Sequence, residues 1–225
     1  MGPSGSAFVT GAAGGIGRAI AERLVADGFG VSVADLSSSA DQLEALVVGL
    51  GGPDVALGLS VDVTEAASVE AAVAAHVGHF GGLDVMVANA GVAVTAPLVE
   101  TTADQWQRTM DVNLTGAFLM VKACVPLMQN GGAIVNITSI SGLRASALRI
   151  AYGTSKAALE HLTKQLALEL SVAGEAVRRQ PPVIECRAHR ATGLALVAAV
   201  AEPAVRRKGR DVVEEGDRPG DPEGR

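Results

Sequence analysis

A doubly wound α/β fold, one parallel sheet with helices on both faces, is predicted by three observations. Strand-like and helix-like segments alternate through the first 175 residues. The helical stretches between strands are long enough to require parallel crossovers, which are right-handed. Hydrophobic residues make up 48% of the 225 but aromatics only 3%, so Ala, Val, Leu, Ile and Gly must form the core. That supply suits a buried parallel sheet covered by Ala/Leu-rich helices.

The elements follow in order. "AFVT" (7–10) reads as a strand, and "GIGRAIAERLVADG" as a helix that stops at a glycine. "GVSVAD" (30–35) is the second strand and 39–50 the second helix. "VALGLSVDV" (55–63) is a third strand, after which Thr64 is expected to cap "EAASVEAAVAAHV", with acidic residues early in the helix. "LDVMVANAG" (83–91) is a fourth strand, 103–129 a long helix, "GAIVNITS" (132–139) a fifth strand and 150–173 a last helix.

Cys124 and Cys186 make neither a disulfide framework nor a metal-ligand set, so no metal site is expected. The N-terminus lacks a basic stretch followed by an apolar one, so no signal peptide is read. No apolar run is read as approaching the roughly 20 residues of a bilayer span, and "GLALVAAVA" at 193–201 is far too short. A net charge of −6 argues against a nucleic-acid partner. A cytoplasmic protein without membrane or nucleic-acid partners is expected.

"VTGAAGGIGRAI" follows the first strand directly and opens the first helix. Gly11, Gly15 and Gly17 would let the backbone turn tightly, approach a pyrophosphate and pack helix on strand, with helix N–H groups facing the phosphate. Asp35 ends the second strand 18 residues after Gly17. A carboxylate there can accept both ribose hydroxyls of an adenosine and repels a 2′-phosphate, and Gly14 and Leu36 offer no basic side chain. NAD is therefore favoured over NADP, although Asp35 could also serve as a strand-end turn residue or helix cap.

The only tyrosine, Tyr152, precedes Lys156 by four residues in "AYGTSKAALEHL". On a helix that spacing puts both on one face. Phenol, with a reference pKa of about 10, is a poor proton donor at neutral pH unless a cation favours the phenolate. The pair is thus either an acid/base couple or a half-buried aromatic beside a lysine. Ser139 ends a predicted strand, where open α/β sheets bind ligands, and alternation turns Thr138 to the other face. His76, His79 and His161 read as helix-surface residues and His189 lies in the tail, so none is assigned chemistry.

"TGAAGGIG" (10–17), "VDV" (61–63), "NAG" (89–91), Asn113 in "DVNLTGAF", Ser139 in "VNITSISG" and "YGTSK" (152–156) together resemble the short-chain dehydrogenases/reductases. The resemblance covers residues 6 to about 173 and implies a Rossmann-type sheet. It is similar to NAD-linked acetoin and diol dehydrogenases and to 3-oxoacyl carrier-protein reductases. It implies an oxidoreductase interconverting a small secondary alcohol and a ketone. Tyr152 would exchange the proton with the substrate oxygen, and Lys156 would lower the tyrosine pKa and bond the nicotinamide ribose, so both border the cofactor. Ser139 would steady the carbonyl, and Asn113 would hold a water linking Lys156 to solvent, although it could simply bond helix backbone. Gly11, Gly15, Ile16 and Gly17 would hold the phosphates, Asp35 and Leu36 the adenosine ribose. Asp62 and Val63 would flank the adenine, and Asn89, Ala90 and Gly91 would line the ribose side. A homo-oligomer, dimer or tetramer, is implied through the 103–129 and tyrosine helices.

Beyond residue 175 the character changes. Residues 176–225 hold 10 basic and 8 acidic side chains, against 8 and 16 in residues 1–175. The expected organisation is a catalytic domain over 1–175 and a divergent, largely disordered tail over 176–225, with the basic run 206–210 a solvated segment. No "RVNAVAPG"-type strand follows the tyrosine helix, so the sheet should lack the family's usual last strands and expose an edge. Such a break is what a reading-frame change or alternative splice leaves; an "RVN…PG" stretch in another frame of the encoding DNA would confirm it. The competing expectation is a catalytically impaired nucleotide-binding relative. The loop 143–150, "LRASALRI", is small and aliphatic save for Arg144 and Arg149, which points to a compact substrate.

Overall fold

A computed structural model describes residues 2–128, 131–173, 186–189 and 194–201, the last two stretches as backbone. Its strands are β1 (Gly5–Thr10), β2 (Phe29–Asp35), β3 (Ala56–Ser60), β4 (Val85–Ala88), β5 (Gly132–Ser139), β6 (Cys186–His189) and β7 (Leu194–Ala201). The main helices are α1 (Gly15–Ala26), α2 (Ala40–Gly49), α3 (Ala66–Phe80), α4 (Ala103–Met110), α5 (Gly116–Cys124), α6 (Ile140–Leu143) and α7 (Ile150–Ala173). The sheet order is β3-β2-β1-β4-β5-β7-β6. The first five strands pair in parallel, Val9 facing both Val33 and Val87 in register.

Alternate residues of β1, β2, β4 and β5 feed one of two cores. Phe8, Met86 and Ile134 pack with Val73, Met120 and Leu159 of α3, α5 and α7. Ala7, Val9, Val31, Val33 and Val87 pack with Ala21, Leu43 and Leu46 of α1 and α2. Both faces are thus dry, as a parallel sheet requires. Each fully buried valine or leucine contributes roughly 1.5–3 kcal/mol.

Four expectations need correction. The sheet edge after β5 is not left bare. Among the described residues, β7 runs antiparallel along the whole of β5, from Gly132↔Ala201 to Ser139↔Leu194, and β6 pairs antiparallel with β7. The apolar run at 194–201 therefore continues the sheet and covers backbone groups that an open edge would expose. The rest of the expected tail, at 174–185, 190–193 and 202–225, lies outside the described residues.

The third helix takes Glu65 as its N-cap and has no acidic side chain in its first turn. Thr64 bonds Asp62 instead, through both its amide (2.9 Å) and its hydroxyl (2.7 Å), in a turn before the helix. The segment expected as one helix over 103–129 is interrupted by a π turn at Asp111–Thr115 and ends in a tighter turn at Val125–Leu127. Its stretch Ala103–Leu127 is long and apolar enough by length and composition to cross a membrane. Ala117, Met120, Val121 and Cys124 of this stretch are buried in the core.

His76 is fully buried, not on a helix surface. Ser6 Oγ donates to the Gly82 carbonyl (2.7 Å), so it must accept from His76 Nε2 (3.3 Å), leaving Nδ1 to accept from Ser32 Oγ (2.8 Å). A neutral ring satisfies this chain. Burial pushes the imidazole from 6.5 down to about 4. The unfolded chain then binds a proton that the native state refuses between those values, so stability present above pH 6.5 is lost as pH falls toward 4. Urea unfolding is expected to show a loss on the order of 3 kcal/mol across this window, largely absent in His76→Gln. An unchanged pH dependence in the variant would disprove the assignment.

Candidate active site

The strand order reverses between β1 and β4, and a cleft of about 800 Å³ opens there, lined by residues at the carboxyl ends of β1, β2 and β4. Its floor is the turn from β1 into α1. Gly11 turns the chain at φ 64°. A Cβ on Gly17 would lie 2.2 Å from the Gly11 carbonyl oxygen, so only glycine lets the helix start against this turn. The α1 N-terminus carries no side-chain cap and no acidic residue in its first turn, leaving its N–H groups available to an anion.

Thr10 and Asn89 tie this turn to β4. Thr10 Oγ1 accepts from the amides of Asn89 (3.0 Å) and Ala90 (3.1 Å), while Asn89 Nδ2 donates to the carbonyls of Thr10 and Gly11 (2.9 Å each). Asp35 closes the opposite side: Oδ2 accepts from Ala13 N (3.0 Å) and Oδ1 from Leu36 N (2.8 Å). Gly11, Asp35, Leu36, Asp62, Val63, Asn89, Ala90 and Gly91 all line the cleft; Gly15, Ile16 and Gly17 lie in the first turn of α1 and are not among its lining residues. Thr10 opens the "TGAAGGIG" motif, but the sequence assigns its side chain no role.

The second half of the site is built on α7. Lys156 is 4% exposed, and its Nζ donates to the Ile137 carbonyl of β5 (2.7 Å). Burial pushes this ammonium from 10.5 down to about 8. Nζ lies 6.0 Å from the centroid of the half-buried Tyr152 ring, one turn earlier. A Cβ on Gly91 would stand 3.5 Å from Nζ and 3.2 Å from Asn113 Oδ1, so the "NAG" turn packs against both.

Asn113 sits in the π turn, 1% exposed. Its Oδ1 accepts from Val92 N (2.8 Å), and its Nδ2 donates to Val92 O (2.9 Å) and Ser155 Oγ (2.9 Å). Ser155 donates in turn to the Tyr152 carbonyl (2.8 Å). The side chain thus bonds a loop and α7, not its own helix. Single π turns of this kind recur at functional sites. Ser139 is buried at the end of β5, and its Oγ accepts from Ser141 N (3.2 Å), capping α6. That short helix packs on α7 closely enough that a Cβ on Gly153, the neighbour of Tyr152, would lie 3.0 Å from the Ser141 carbonyl.

Comparison with known proteins places this architecture. The short chain dehydrogenase family model matches residues 6–185. The chain belongs to the short chain dehydrogenase family. It is 42% identical over 172 residues to the trans-4-hydroxycyclohexanecarboxylate dehydrogenase of Sinomonas cyclohexanicum, covering 73% of this chain and 66% of that one. It is 40% identical over 181 residues to the D-threitol dehydrogenase of Mycolicibacterium smegmatis, covering 79% and 69%. A short chain dehydrogenase/reductase from Burkholderia phymatum, solved in complex with NAD, superposes with a TM-score of 0.72 at 31% identity, covering 77% and 62%. The matched region of this chain thus spans about two thirds of the length of these relatives.

Proposed function

We propose that the chain is a nicotinamide-dinucleotide-dependent oxidoreductase that interconverts a small secondary alcohol and its ketone, acting in the cytoplasm as a homo-oligomer, dimer or tetramer. One observation carries this reading: a buried lysine with a lowered pKa stands one helical turn from the only tyrosine, beside the end of β5. Burying an ammonium is costly, and such groups cluster where they act in chemistry.

The cleft fits a dinucleotide, with a glycine turn and an uncapped helix start for phosphate and a carboxylate at the far strand end. Bound nicotinamide would accept or give the hydride, chemistry that no side chain supplies. Tyr152 is assigned the proton at the substrate oxygen, a role worth about 10²–10⁴-fold. Lys156 is assigned to hold the nicotinamide ribose beside Tyr152, its Nζ 6.0 Å from the ring centroid. Ser139 would hold the substrate oxygen. Asn113 would hold the water that links Lys156 to solvent; both its Nδ2 hydrogens are donated, and its Oδ1 accepts from Val92 N.

Reduction of diacetyl or acetoin by purified protein, followed by NADH absorbance, tests the reading. Cofactor binding without turnover would instead support the catalytically impaired relative. NAD is the assigned form, because Asp35 holds a negative charge where a 2′-phosphate would sit. Four carboxylates, Asp35, Asp62, Asp104 and Asp111, line the cleft against one base, Arg108. The preference for NAD over NADP in kcat/KM is expected to be roughly 100-fold, about 3 kcal/mol of like-charge repulsion. Asp35→Ser combined with Leu36→Arg should invert it; a double variant that keeps the preference would show that Asp35 does not read the ribose.

A further inference from the structure

The loop between α6 and α7 carries two arginines, Arg144 and Arg149, that the proposed chemistry does not use. Both line a second cleft of about 480 Å³, together with Leu98, Ser141 and Thr154. Among the described residues, no Asp or Glu lines it. The ion pairs among the described residues join Arg18 to Glu22, Arg23 to Asp27 and Lys164 to Glu160, so neither loop guanidinium has a carboxylate partner there.

Arg149 is half-buried, and its Cζ lies 5.5 Å from the Tyr152 ring centroid. The backbone just before it is constrained. Leu148, at φ 61°, is the one non-glycine residue with positive φ among those described. A leucine adopts that conformation only when its surroundings impose it. The Leu148 carbonyl accepts from Ala96 N (3.0 Å), and Ser141 Oγ lies 3.0 Å from Ser146 Oγ across the loop. The loop is therefore held in a strained shape that sets the start of α7 and the Arg149 side chain beside Tyr152. A guanidinium stacked on an aromatic face keeps its planar fork of donors free for a bidentate anion.

We propose that this cleft binds a carboxylate of the substrate, so that the alcohol oxidised is a compact hydroxy acid. The carboxylate sits on Arg149, with Arg144 at the outer rim, and the carbinol lies at Tyr152 a few bonds away. This rests on the dehydrogenase reading above. With oxidised nicotinamide bound, the carbinol C–H bond would break with its electron pair passing to it as hydride. The hydroxyl proton leaves through Tyr152, and an oxo acid with its carboxylate intact is the product. A purely structural Arg149, bracing the tyrosine ring, would favour no anion.

The test uses the full chain and calorimetric titration, with and without NADH, of 3-hydroxybutyrate, its methyl ester and glycerol 3-phosphate. The acid is expected to bind at least ~10-fold tighter than the ester, the scale of a charge-assisted bidentate contact. Arg149→Met should erase that difference, Arg149→Lys should keep part of it, and Arg144→Met should reduce it by ~3-fold. The acid-to-ester ratio of kcat/KM should follow the same order. Equal affinity for acid and ester, a difference that survives Arg149→Met, or preference for glycerol 3-phosphate overturns the proposal. Acid-selective binding without turnover supports the anion site while refuting the dehydrogenase reading, so the two failures are distinguishable.

Discussion

Tyr152→Phe is expected to lower kcat for ketone reduction by about 10²–10⁴-fold while shifting dinucleotide affinity by only ~3-fold, because one hydroxyl among many contacts is lost. The substitution removes a single oxygen and leaves the ring in place. That ring packs at a half-buried position on α7, beside Arg149 and Lys156. The Tyr152 backbone carbonyl continues to accept from Ser155, so the Asn113–Ser155 link persists. Stability should therefore change by less than about 1 kcal/mol. Steady-state kinetics and fluorescence titration with NADH check the two halves separately. Turnover unchanged by the loss of the hydroxyl would remove Tyr152 from the chemistry and, with it, the proposed mechanism. A loss confined to KM would make the residue a binding group only.

How much of this was legible in the sequence depends on the distance over which each feature is encoded. The five parallel strands and most of their helices are local signals, period and turn chemistry, and they appear where expected, the interrupted segment 103–129 apart. The glycine turn is legible for the same reason: Gly11 and Gly17 meet each other across six residues. The partners of Asn113 were not legible. Val92 and Ser155 lie 21 and 42 residues away, and only the folded chain brings them together. The π turn that holds Asn113 was also hidden, since helical periodicity continues through it.

His76 is the instructive miss. Val69, Ala72, Val73 and His76 fall at the helix spacing i, i+3, i+4, i+7, and all four are buried. The stripe was present in the sequence, but a histidine on it reads as surface until Ser6 and Ser32, on two different strands, are seen to satisfy both ring nitrogens. The antiparallel return of β7 was missed for a related reason. An eight-residue apolar run carries no direction, and pairing partners on β5 decide it.

Lys156→Met is expected to make the protein more stable at pH 7 and to lower kcat on the order of 10²-fold or more, a pairing that a merely structural lysine would not give. The native ammonium is pushed down to about 8 by burial, whereas the unfolded chain titrates near 10.5. Between those values the unfolded state holds a proton that the native state has released, so stability rises with pH across the window. Below pH 8 both states are charged and the native state carries the full desolvation penalty, on the order of 3 kcal/mol. Methionine has similar length and no charge; it loses the bond to the Ile137 carbonyl, about 1 kcal/mol, and escapes that penalty. Cys124 acts in the opposite sense, its buried thiol pushed up to about 12, but it is common to both proteins and cancels in the difference. Urea midpoints of wild type and variant should therefore differ most near pH 7 and converge toward pH 10.5. A variant less stable at pH 7 would mean that the lysine is held for packing, and a variant that keeps its kcat would mean that the phenol needs no neighbouring charge. Greater stability together with lost turnover identifies Lys156 as a group the fold tolerates at a cost because the reaction requires it.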